Sequence, residues 1–126
     1  MATWAELAEV VSELPLTVEQ APHDWRVGRK LLAWERPLRT SDIDALGPDA
    51  PTGDIVGIRV ADEGVKFALI ADEPDIFFTT PHFDGHPVVL ARLSGLDTLA
   101  LRELLTEAWL SRAPKSLVAE FLADQA

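Results

Sequence analysis

The chain has 126 residues, 48% of them hydrophobic and 25% charged, with 21 acids against 11 bases and a formal net charge of -10. That is one domain's worth of an ordinary globular composition, too short for two cores and too apolar for global disorder. The acidity argues against general attraction to phosphate backbones and anionic membranes.

There is no cysteine, which removes disulfides, thiolate metal sites and a cysteine nucleophile. The first residues lack the basic and apolar regions of a signal peptide. No run of about 18 apolar residues is present to span a membrane. The expectation is a cytoplasmic protein without a membrane partner.

Residues 4–14 predict a helix, with Thr3 as N-cap, Glu6 three positions on, and Trp4, Leu7, Val10, Val11 and Leu14 at helical spacing. Residues 15–24, interrupted by Pro15 and Pro22, are expected to be a connection. Trp25-Arg26-Val27 and Lys30 to Glu35 predict a hairpin turning at Gly28-Arg29. Residues 38–54, with four aspartates, read as a long polar loop with one helical turn around Ser41–Leu46. Residues 55–60 are β-branched and predict a strand.

Residues 62–73 fit two patterns. Val65, Phe67 and Leu69 alternate as in a strand, whereas Asp62 and Glu63 could open a helix with Phe67, Ile70 and Ala71 inward. Residues 76–80 and 88–93 predict an antiparallel pair joined by residues 81–87. Asp97 is placed to cap a helix to about Arg112, with a Leu96–Leu101 staple and a buried stripe of Leu101, Leu104, Leu105, Ala108 and Trp109. Pro114 opens a last helix carrying Leu117, Val118, Phe121 and Leu122. The expected class is α+β: residues 1–126 as one domain, a single antiparallel sheet with the N-terminal helix and two C-terminal helices packed on one face.

Three groups of residues carry possible chemistry. His82-x-Asp84-x-His86 holds two imidazoles and a carboxylate that a divalent metal would accept, although a turn at Gly85-Pro87 would break their alternation. Thr79 and Thr80 beside His82 and Asp84 have the residue types of a nucleophile with its base, but stand too close in sequence for that geometry. Residues 23–39 hold Arg26, Arg29, Lys30, Arg36 and Arg39 against Asp24 and Glu35, a local balance of +3, whereas residues 40–75 hold nine acids against Arg59 and Lys66, a balance of -7. The basic hairpin is either a β-ribbon that touches phosphates or a polar face whose bases pair with the acidic loop that follows.

The block Phe77-Phe78-Thr79-Thr80-Pro81-His82-Phe83-Asp84-Gly85-His86-Pro87 resembles the MmcQ/YjbR-like family of small bacterial proteins often labelled DNA-binding. Trp25 to Val27, Lys30 to Trp34, Gly57 to Val60, Glu107 to Trp109 and Ala113 to Lys115 extend the resemblance along nearly the whole chain. It implies a frataxin-like (CyaY-like) α-β-α double-wing fold and a helix over 62–73. Position 86, often aromatic in that family, is His86 here. The resemblance implies no cofactor and no catalytic residue.

Three functions follow as expectations. The first is a non-enzymatic binding protein contacting DNA through Arg26, Arg29, Lys30, Arg36 and Arg39. The second is a protein or peptide interaction module using a surface of Thr79, Thr80, His82, Phe83, Asp84 and Trp109. The third is a metal-dependent enzyme built on His82, Asp84 and His86.

Overall fold

The computed structural model describes residues 1–125. One antiparallel sheet of six strands organises them, in the order β1-β2-β3-β4-β6-β5. The strands are β1 (Thr17–Ala21), β2 (Asp24–Val27), β3 (Lys30–Glu35), β4 (Ile55–Arg59), β5 (Phe77–Phe78) and β6 (Val88–Arg92). Five helices accompany them: α1 (Trp4–Ser12), α2 (Thr40–Leu46), α3 (Glu63–Asp72), α4 (Thr98–Arg112) and α5 (Lys115–Asp124). The fold is α+β, as the sequence predicts.

Local chemistry explains the helix ends. The Thr3 hydroxyl accepts the Glu6 amide at 3.2 Å, and the Asp97 carboxylate accepts the Ala100 amide at 2.7 Å. Asp62 does the same for Val65 at 2.9 Å, so 62–73 resolves as α3. Each cap satisfies an amide that the first helical turn leaves without a partner.

Side-chain alternation sends β4 and β6 into two apolar clusters. Val56, Ile58, Val89 and Ala91 join Leu7, Val10, Leu101, Leu105 and Trp109 beneath α1 and α4, with the half-buried Leu117, Val118 and Phe121 of α5 against them. Ile55, Val88 and Leu90 face the other way, with Phe83, Trp34, Leu38 and Phe78. Both faces of the central strands are therefore covered: α1, α4 and α5 share one face, as the sequence predicts, and the other has its own cover. The second cover comes from the long loop: α2 packs against a 3-10 turn at Pro81–Phe83. Gly57 lies in this second layer, where an added Cβ would stand 2.8 Å from Cζ2 of Trp34.

Three expectations are corrected. The connection over 15–24 contains β1, an exposed edge strand. In α3 the inward residue is Lys66, completely buried, whereas Phe67 is 53% exposed and Ala71 is also exposed. Leu122 of α5 is exposed as well. Two pairings slip by a residue: Trp25 faces Ala33 but Arg26 faces Leu31, so Leu32 is an extra residue in β3, and Gln20 is its counterpart in β1. Such bulges twist an edge and hinder its pairing with another chain.

Candidate functional site

The basic set of the hairpin does not form one patch. Gly28, with φ of +62°, makes the turn that lifts Arg29 and Lys30 into solvent. Arg26 is half-buried and bound to Asp24 through Nε at 2.9 Å and Nη2 at 3.2 Å. Arg36 and Arg39 lie beyond the opposite end of β3, whose six residues from Lys30 to Glu35 span about 17 Å. Arg36 is only 5% exposed, which removes it from any phosphate-contacting surface. It pairs instead with Asp42 at 3.0 Å. That contact is the pairing of hairpin base with loop acid that the charge distribution allows.

Two arginines that sequence spacing does not connect join the hairpin tip. Antiparallel pairing puts the end of β4, at Arg59, beside the start of β3. The last turn of α4 reaches the same place, where Nε of Arg112 donates to the Leu31 carbonyl at 3.2 Å. Burial lowers the Arg112 pKa, and the Arg59 charge lowers it further. Neither guanidinium has a carboxylate within ion-pair distance among the described residues. The signal available in the sequence was positional: each is the last residue of its element.

Of the block at 77–87, Phe77, Thr80 and Phe83 are buried, whereas Pro81, His82, Asp84, Gly85 and His86 are exposed. Phe83 is buried with its ring 6.2 Å from Trp34, and the Arg36 guanidinium lies over that ring at 5.2 Å from the centroid. Its carbonyl accepts Nζ of Lys66 at 2.8 Å, and the His86 carbonyl accepts the same ammonium at 2.9 Å. Thr80 is 2% exposed. Thr79 is half-buried, and only His82 and Asp84 of the six motif-surface residues face solvent. Trp109 is completely buried under the opposite face of the sheet, donating Nε1 to the Pro15 carbonyl at 2.8 Å. The expected shared surface of Thr80, Phe83 and Trp109 is therefore not formed.

The loop's chemistry is structural. Burial lowers the Lys66 pKa, against the opposing pull of Glu63 and Asp84. Burial also acts to raise Asp42, but the Arg39 amide at 2.8 Å and the Arg36 guanidinium outweigh it, and the carboxyl stays below its usual range. Nη2 of Arg36 and the Thr80 hydroxyl are buried without a hydrogen-bond partner among the described residues. His82 meets Phe83 edge-on at 4.8 Å. Among the described residues, no three His, Asp or Glu side chains gather where they could hold a metal. No helix among them is long and apolar enough to cross a membrane.

Uncharacterized protein Mb2600 of Mycobacterium bovis is 68% identical to this chain over 127 residues, covering 98% of each. Uncharacterized proteins MT2646 and Rv2570 of Mycobacterium tuberculosis match with the same identity and coverage. The chain belongs to their family. No protein-family model and no solved structure matches it. Within this mycobacterial family the similarity runs from end to end, so hairpin tip, motif loop and both helical layers all lie inside the shared stretch.

Proposed function

We propose that the chain is a non-enzymatic, cytoplasmic binding protein of the MmcQ/YjbR-like type with a CyaY-like arrangement, and that it contacts the DNA backbone through the hairpin end. The supporting observation is the Arg59–Arg112 pair. Neither guanidinium has an acid partner among the described residues, Arg112 holds the Leu31 carbonyl next to Lys30, and Arg29 and Lys30 are exposed at the turn. Cations held together in this way suit an anionic ligand such as a phosphate diester. Net charge limits the affinity: a domain at -10 is repelled at long range, so binding rests on local contacts and falls steeply with salt.

Fluorescence anisotropy of a labelled duplex tests the reading at about 50 and about 200 mM salt. Binding is expected at the lower salt, with loss in both R29Q/K30Q and R59Q. No binding at low salt, or full binding by both variants, sinks it. The exposed tip pair changes no internal contact, so its loss of binding cannot be ascribed to unfolding.

A further inference from the structure

A cleft of about 370 Å³ opens between α3 and α4. Its floor is apolar: Val60, Leu69, Phe77, Leu96, Leu104 and Ala108. Its rim is acidic: Asp72 and Glu73 from the end of α3, and Glu103 and Glu107 one turn apart on α4. None of the four has a cation within ion-pair distance among the described residues. The last turn of α3 carries no base, so Asp72 and the helix's own negative end add rather than cancel. They ring a hollow whose walls are otherwise bare hydrocarbon.

We propose that this cleft binds a small apolar cation, a hydrophobic amine whose hydrocarbon part fills the floor and whose ammonium meets the acidic rim. At about 370 Å³ the cleft lies at the lower end of the range of small-ligand sites, which begin near 300 Å³. Charge selects the cation. A neutral ligand would leave the four rim carboxylates without a counter-charge, and an acid would be repelled. The site is independent of the hairpin end, and neither depends on the other.

The test titrates the full chain with octylamine, octanol and octanoate, followed by heteronuclear NMR shifts. Octylamine is expected to perturb Leu69, Phe77 and Leu104 and to bind about tenfold more tightly than octanol, equivalent to ~1.4 kcal/mol. Octanoate is expected not to bind. In E103Q/E107Q the preference for the amine should fall to about twofold. On the unaltered protein, added salt should weaken the amine and leave the alcohol unchanged, a result that needs no variant to fold. Equal affinity for amine and alcohol, shifts lying outside the cleft, or binding only of a basic amphipathic peptide would overturn the proposal.

Discussion

Nζ of Lys66 stands 2.8 Å from the carbonyl oxygen of Phe83, and the lysine has no exposure to solvent. A buried ammonium is costly unless hydrogen-bonded. Here it holds two carbonyls of the loop between β5 and β6, so α3 anchors that loop through one side chain. Phe83, at the centre of the block that looks most like a functional motif, is thereby fixed in the second layer.

K66M should lower stability by about 2 kcal/mol, since two buried carbonyls lose their donor while the desolvation of the charge is relieved. Chemical denaturation measures it. The alkaline side carries a second signature. Burial lowers the folded-state pKa below the ordinary value of 10.5. The unfolded chain therefore binds the proton more tightly, and stability rises with pH between the folded value and 10.5. K66M should lose that rise.

Asp42 predicts the acid side. D42N leaves the Arg36 guanidinium buried without its carboxylate and should cost about 3–5 kcal/mol. In the unaltered protein the folded carboxyl sits below its ordinary value of 3.8. Its contribution is present above that value and lost as pH falls through the folded one. Urea midpoints taken from neutral to acid pH should show this loss in the parent and a smaller one in D42N.

Gly57 is required by its neighbour rather than by its own backbone. G57A would place a methyl 2.8–2.9 Å from the Trp34 ring and should destabilise by about 1–3 kcal/mol. Combining it with W34L removes the clash. The double variant should then lose less than the two single losses together, and a thermal-unfolding cycle reads the coupling.

The salt dependence of DNA binding should change in a graded way. Removing one phosphate-neutralising side chain reduces the slope of log affinity against log salt by about 0.9. R29Q and R59Q should each flatten it by about that amount, whereas R26Q, whose parent side chain is engaged with Asp24, should leave it unchanged. Anisotropy over a salt series measures all three.

Much of the first layer was legible because it is written in local rules. Thr3 and Asp97 announce their helices, Gly28 its turn, and the α4 stripe its buried face. The second layer was not. β1 reads as polar loop because an exposed edge strand needs no apolar alternation. Lys66 reads as surface because nothing near it in sequence supplies the carbonyls that accept it. That Arg59 and Arg112 both end beside the hairpin depends on where a strand and a helix stop, which is a property of the closed fold and of no segment alone. The basic hairpin reads as one patch for the same reason: bases close in sequence are held apart by the length of β3.

The extra residue at Leu32 has a consequence for the hairpin tip. Ordinarily a one-residue change in a strand flips every side chain beyond it to the other face. Here the irregularity separates the tip, where Lys30 faces Val27 and Leu31 faces Arg26, from Ala33, Trp34 and Glu35 against β4. Leu32 is itself completely buried in the cluster beneath α1 and α4, so the residue that breaks the ladder also anchors the hairpin. The tip beyond it presents its bases to solvent while Trp34 keeps its place over Gly57.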